Sequence, residues 1–334
     1  MLLKDMVKIY SPTGCETKIV DFLIEWGNQN GFKSYRDDIG NFVAEKGEGN
    51  KILLLGHVDT VPGKLPVKAR NGVLYGRGVV DAKGSLACFL EAAKDIDDLG
   101  LRIIGAVDEE RNSKGANYVF KNYDRPEYVV IGEPSGWSNI TIGYKGNLNI
   151  MYKVETEKSH SSNSKPNSNE KIIDFYNYLK DFCKDFNQDK SLFNGIQTKV
   201  LSLKSDDDPF LQEASIKINV RLPPKFDIID FKESVEKFGK SGQVFFSKYV
   251  EAVKVKRSNK LVTNFLKSIR ENDGNIKFKL KTGTSDMNIL KKYGVPIVAY
   301  GPGDSSLDHT PNEYLDLGEF NKSVQILQDM LKRL

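Results

Sequence analysis

The chain has 334 residues, 39% of them hydrophobic and 28% charged, with a formal net charge of +4. That balance fits a globular protein of one large or two ordinary domains and excludes a disordered chain. The small net charge, without a long basic run, excludes nucleic acid as the main partner. No apolar stretch reaches the 18 residues of a membrane span, and Lys4, Asp5 and Lys8 break any leader-like start, so no membrane association and a cytoplasmic location are expected. Cys15, Cys88 and Cys183 are odd in number and form no CxxC pair. They read as inert thiols in a reducing compartment rather than a disulfide framework or a cysteine zinc site.

After the Ser11-Pro12-Thr13-Gly14 break, Ile19, Val20, Leu23 and Ile24 recur at helical spacing. "KILLLGH" (51–57) is a continuous apolar run ending in Gly-His, which predicts a buried strand running into a loop. "SLACFLEAAKDI" (85–96) is helical in pattern, "LRIIGAVDEE" (101–110) reads as a strand with an acidic end, and "YVVIGEP" (128–134) as a third strand. Strands alternating with helices predict an α/β domain with a mostly parallel sheet and functional loops at the strand C-termini.

The texture changes near residue 145. "GNLNIMYKVET" (146–156) and "ASIKINVRLP" (214–223) alternate polar and apolar residues, as half-exposed antiparallel strands do. Helices are expected over 169–186, with a stripe of Ile172, Ile173, Tyr176, Leu179 and Phe182, and over 227–238. These pieces predict a small inserted α+β domain over 146–254. The first domain is then discontinuous, 1–145 and 255–334, resuming with 261–269, a strand-like 296–301 and a closing helix over 318–333.

The chemistry-bearing residues sit mostly at the ends of apolar strands. His57 and Asp59 follow the first, Asp81 lies in "GRGVVDAKG", Glu109 and Glu110 end the next strand, Glu133 the third, and His309 lies in "DSSLDHTPNE". A single such histidine, acidic run or Gly-Glu-Pro turn has ordinary structural uses. Together they suit a pair of zinc-like ions, each with one imidazole and one carboxylate, and a carboxylate shared between them. Asp59 is placed to orient an imidazole from behind. On extended backbone, neighbouring Glu109 and Glu110 point apart, so one can ligate while the other serves as a base.

"GHVDTVPG", "GRGVVDAKG", "VDEERNSKGA", "VIGEPSG" and "DHTPNE", in that order, resemble the zinc aminoacylase and carboxypeptidase family, which includes acetylornithine deacetylase, succinyl-diaminopimelate desuccinylase and glutamate carboxypeptidase. Within it, "GEPSGWSNITIGYKG" and "KTGTSDMN" look most like the hydrolases that free lysine or ornithine from an amino-group carrier protein. The resemblance implies a dinuclear-zinc, exopeptidase-like α/β catalytic domain and an α+β lid through which the chain dimerises. It implies that His57 and Glu133 hold one ion, Glu110 and His309 the other, and Asp81 bridges them. Zinc is the expected metal, and cobalt is tolerated by the same ligands. Glu109 would be the general base, Asp59 the orienting residue, and a cis peptide would follow Asp81. In the lid, His160 would steady the oxyanion, from its own or the partner subunit. Arg221 and the Gly283-Thr284-Ser285-Asp286 loop would grip substrate. The expected reaction is amide hydrolysis on the carrier's C-terminal glutamate. A small-molecule N-acyl amino acid deacylase, a dipeptidase or a carboxypeptidase is the alternative. Lys277, Lys279 and Lys281, with Lys254, Lys256 and Arg257, offer a basic face to an acidic carrier, or are simply a solvated lysine face.

Overall fold

The computed structural model describes residues 1–334, the side chain of Asp207 excepted. The chain divides into two compact units, the first comprising Met1–Gly143, Val255–Leu280 and Ser285–Leu334, the second Tyr144–Lys254 and Lys281–Thr284.

In the first unit, Ile52–His57 is buried at every position, as a strand covered on both faces requires. It pairs in parallel with Leu101–Ala106 on one side and Tyr128–Gly132 on the other, and Ile297–Tyr300 extends the parallel set beyond Tyr128–Gly132. Phe42–Lys46 and Lys33–Arg36 close one edge antiparallel. Asn139–Tyr144 lies beyond Ile297–Tyr300. Helix Thr17–Gln29 buries Ile19, Val20 and Leu23, and helix Lys83–Ala93 is buried at almost every position. Helices Lys260–Glu271 and Leu317–Leu331 complete the cover, and their apolar faces join one continuous core with the sheet. A short N-terminal helix, Leu2–Lys8, escaped the sequence reading, because seven residues are too few to show a period.

The strand beginning at Leu101 stops at Ala106 and does not run on to Glu110. Asp108 takes a left-handed φ of 60°, and the next N–H groups leave the sheet for side chains. Asp108 N donates to Glu16 Oε1, Glu109 N to Asp59 Oδ1 and Glu110 N to Asp59 Oδ2. Glu109 and Glu110 therefore sit on a turn fixed by buried carboxylates, not on extended backbone.

The second unit is a four-stranded antiparallel sheet, in the order Gln197–Asp207, Leu211–Leu222, Gly146–Glu157, Gln243–Phe246. Strands Gly146–Glu157 and Leu211–Leu222 alternate buried and partly exposed positions. Two helices, Ser168–Phe186 and Ile228–Phe238, contribute Phe175, Leu179, Phe231 and Val235 to the core it forms. Asn167 caps the longer one in a reciprocal capping box with Glu170. Its buried stripe is Ile172, Phe175, Leu179 and Cys183, whereas Ile173 is 56% exposed, so the expected stripe was rotated. The phase is set by Phe175, whose ring stacks on Tyr152 of the sheet with centroids 4.2 Å apart. Among the described residues no helix is long and apolar enough to cross a membrane.

Candidate metal centre

Parallel strands deliver their C-terminal ends to one side of a sheet, and the first unit uses this to assemble its polar groups. His57 is the last residue of its strand and is buried. Asp81 ends a glycine-punctuated turn, is joined to Ala82 by a cis peptide, and is followed directly by helix Lys83–Ala93. Its two carboxylate oxygens face two different imidazoles: Oδ1 lies 3.1 Å from His57 Nε2, and Oδ2 lies 2.9 Å from His309 Nε2. His309, at a left-handed φ of 62°, also reaches Glu110 Oε2 at 3.0 Å. Asp81, Glu110 and His309 thus offer three donor atoms within 4.8 Å of one another, and His57 joins through Asp81.

Asp59 has two roles, only one of them expected. The bond that orients His57 comes from the Asp59 main-chain carbonyl, 2.9 Å from Nδ1, with carboxylate Oδ1 further off at 3.5 Å. The carboxylate itself accepts the main-chain N–H groups of Glu109 and Glu110 and the hydroxyl of Thr13. Glu133 follows strand Tyr128–Gly132 and is buried. Asp286, also buried, precedes the short helix Met287–Leu290.

Carboxylates outnumber imidazoles here, and the titration of the groups reflects it. Burial works against a charged His57, but Asp59 and Asp81 outweigh it and hold the ring well above its ordinary pKa. His309 is raised to about 10 by its bonds to Asp81 and Glu110. Burial would raise Asp81, yet the two imidazoles hold it well below the usual carboxylate range. Glu109 moves the other way: burial pushes it well up against the pull of His57, and the charges of Asp286, Glu133 and Glu110 add to the rise. Burial also lifts Asp286 to about 6. The carboxylates favour charge on both rings, and their mutual repulsion adds to the burial that raises Glu109, which is the balance expected of a site short of positive charge at its centre. Glu110 Oε1 is buried without a hydrogen-bond partner, an oxygen lone pair left over for something other than protein. Imidazole and carboxylate ligand atoms, with one carboxylate facing a different imidazole at each oxygen, fit divalent cations.

The remaining expected residues lie in the second unit, apart from Ser285 and Asp286. His160 is exposed in the loop between Gly146–Glu157 and Ser168–Phe186, its Nδ1 2.9 Å from Ser162 Oγ. Arg221 stands near the end of its strand, partly buried, and donates to Thr284 Oγ1, next to Gly283. Among the described residues no carboxylate pairs with it.

Two supporting carboxylates escaped the sequence reading. Glu313 is buried and accepts from Arg77 Nη1 and the main-chain N–H groups of Gly78, Val80 and Asp81, fixing the turn that presents Asp81. Its signal was in view, since it ends the "DHTPNE" stretch that carries His309. Glu319 accepts from Trp137 N and Gly303 N, tying the loop after Glu133 to the loop before His309. Nothing in the local sequence distinguishes it from a first-turn helix acid.

Residues 53–333 match the family model described as peptidase family M20/M25/M40. A LysW-lysine hydrolase of Deinococcus radiodurans is 38% identical, over 100% of this chain and 96% of that protein. A LysW-lysine/LysW-ornithine hydrolase of Saccharolobus islandicus is 33% identical, over 97% and 92%. Among solved structures, an M20-family metallo-carboxypeptidase from Sulfolobus solfataricus superposes with a TM-score of 0.78 at 19% identity, covering 99% of this chain and 97% of that one. A dinuclear metal-binding M20 peptidase from Bacillus subtilis gives 0.68 at 12%, covering 99% and 95%. The turn-borne Glu109-Glu110 pair, Asp81 between two imidazoles and a family match over most of its length make this chain a hydrolase that belongs to peptidase family M20/M25/M40.

Proposed function

We propose that the chain hydrolyses the amide that links lysine, ornithine or both to the γ-carboxyl of the C-terminal glutamate of an acidic amino-group carrier protein. The carrying observation is that full-length relatives at 33–38% identity bear LysW-lysine or LysW-ornithine hydrolase names, and this chain brings Asp81, Glu110, His57 and His309 together. A cytoplasmic location follows from that biosynthetic role.

His57 and Glu133 are proposed to hold one divalent ion, Glu110 and His309 the second, and Asp81 to lie between them, with zinc as the resident metal. When bound, the ions supply Lewis acidity to the substrate carbonyl and acidify the attacking water. Glu109, raised by burial, accepts the proton from that water as its oxygen bonds to the carbonyl carbon. It then gives the proton to the amide nitrogen as the carbon–nitrogen bond breaks. The products are the free amino acid and the carrier's glutamate carboxylate. Asp59 keeps Glu109 and Glu110 in register through their main-chain N–H groups. His160 is proposed as the oxyanion donor, and Arg221 with Gly283, Thr284, Ser285 and Asp286 as substrate-gripping residues.

Two surfaces suit the proposed partners. Residues 255–280 hold seven Lys or Arg and two acidic residues, a concentration of positive charge in a chain of net +4. It would speed encounter with an acidic carrier. Strand Gln197–Asp207 is the outer strand of the second sheet, and it exposes Leu201 and Leu203. An outer strand with unpaired main-chain groups and two exposed leucines is a template for pairing with a second copy, which supports a homodimer through this unit.

The test compares hydrolysis of a carrier protein bearing γ-glutamyl-linked lysine or ornithine with hydrolysis of free N-acetylornithine and N-succinyl-diaminopimelate, using metal-loaded and chelated protein. Metal-dependent preference for the conjugate is expected. Preference for a free acylated amino acid would move the chain to the deacylase branch.

A further inference from the structure

The turn that carries Glu109 and Glu110 is a closed loop with a neck and a tip. At the neck, Gly115 N donates to Val107 O at 3.1 Å, and two residues inside it, Asp108 and Ser113, are left-handed at φ 60° and 49°. Non-glycine residues keep such angles only where their surroundings over-determine them. Asp59 holds the tip. The neck is held by a residue from a distant hairpin. Asn41, fully buried, accepts from Val107 N through Oδ1 at 2.9 Å and reaches Gly115 O through Nδ2 at a longer 3.4 Å. Its amide is fixed in turn by Asp37: Nδ2 donates to Asp37 Oδ2 at 2.9 Å, and Asn41 N donates to Asp37 Oδ1. Asp37 Oδ2 also takes the Tyr123 hydroxyl at the end of the helix that follows the loop. Gly115 has no room for a side chain, since a Cβ there would lie 2.4 Å from Asn41 Oδ1 and 2.7 Å from Val107 N.

We propose that Asn41 is a positioning residue for the reaction, clamping the neck of the 107–115 loop so that Glu109 and Glu110 keep their places. The inference rests on the hydrolase reading above. Its logic is geometric: Val107 N–H needs an acceptor and Gly115 C=O a donor, side by side, and a carboxamide offers both on one rigid plane. Displacing a base or a metal-ligating carboxylate by about 1 Å is enough to lower turnover about 10²-fold. Supporting partners behind metal ligands are typically worth about 10–100-fold in metal affinity or activity.

The test uses the full chain with Asn41→Ala, Asn41→Asp and Gly115→Ala. Asn41→Asp keeps the acceptor for Val107 but loses the donor and sets a second carboxylate beside Asp37. Gly115→Ala wedges the neck open at the Asn41 contact while leaving the asparagine itself unchanged. Asn28→Ala is the control, removing an asparagine amide that bonds only Ser34 in the same hairpin. Zinc affinity is measured by competition with a chromophoric chelator, and kcat and KM on the carrier conjugate. A 10–100-fold loss in kcat with KM within about threefold, and a matching loss of zinc affinity, is expected in the Asn41 and Gly115 variants but not in Asn28→Ala. Unchanged kcat and zinc affinity in folded Asn41→Ala would overturn the proposal, as would a rise in KM alone. If Asn41→Ala does not fold, Asn41→Asp and Gly115→Ala decide by the same criteria. Wild-type protein that binds zinc but leaves the conjugate uncut would overturn the hydrolase reading instead, and the zinc-affinity arm would still decide the clamp.

Discussion

Asp81 shows how much one side chain can organise when both its oxygens are committed to different partners. Its turn is held by Glu313, whose Oε1 accepts from Val80 N and Asp81 N while Oε2 accepts from Gly78 N and Arg77. Glu313→Gln keeps the size but turns an amide donor toward one pair of N–H groups. A loss of about 1–3 kcal/mol in denaturant-unfolding stability is expected, because buried donors are left unmet. A fall of about 10–100-fold in metal affinity should accompany it. Equilibrium unfolding and chelator competition measure the two; unchanged metal affinity would mean that the turn holds Asp81 without Glu313. Glu109→Gln is the complementary case. It leaves the proposed ligands in place but removes the proposed proton acceptor, so metal content measured by elemental analysis should persist while turnover falls about 10²–10⁴-fold. Near-normal turnover would remove Glu109 from the role of base. The chemistry of such residues is readable in sequence because imidazoles and carboxylates at strand ends are conspicuous. Their supports are less so. The bond that orients His57 comes from a main-chain carbonyl, which every residue has, so sequence pointed to the Asp59 carboxylate.

Elements were legible where burial imposes a period and illegible where side chains override it. The apolar run that ends at His57 and the one over Tyr128–Gly132 lie where they were expected. The 101–110 stretch looked like one strand, but its last four residues belong to a turn, because Glu16 and Asp59, distant in sequence, capture its N–H groups. A second override occurs in the other unit. Lys145 is buried, and its ammonium donates to Leu192 O, Gly195 O and Gln197 Oε1, bracing the segment that leads into the outer strand. Lys145→Met removes all three bonds while keeping the stem, and should destabilise this unit by about 1–3 kcal/mol through the two stranded carbonyls. Burial, with a smaller contribution from Arg221, pulls the Lys145 pKa down to about 8 from 10.5. Between those values the unfolded chain binds more protons than the folded one, so this group's contribution to stability rises with pH from about 8 to 10.5. The destabilisation caused by Lys145→Met should therefore grow over that window, as followed by chemical denaturation. A difference that is flat or shrinking with pH would contradict the assigned shift.

At the scale of the whole molecule, the polar cluster draws residues 57, 81, 110 and 309 together from across most of the sequence. Such a site cannot exist in the unfolded chain, so any cation it binds stabilises the folded first unit by mass action, about 4 kcal/mol at a thousandfold excess over Kd. Without a cation, Glu109 is pushed up chiefly by burial, and the charges of Asp286, Glu133 and Glu110 add to the rise. Removal of metal should therefore act locally before it acts globally. Hydrogen exchange on metal-loaded and chelated protein should show faster exchange after chelation in peptides covering 53–60, 77–86, 105–115 and 301–313. These segments carry His57, Asp81, Glu109-Glu110 and His309. Peptides from the sheet of the second unit, such as 146–157 and 211–222, should be unchanged, since their strands belong to a separate core. Protection lost uniformly across both units would show that the metal acts on global stability alone. Loss confined to the second unit would place the metal elsewhere in the chain.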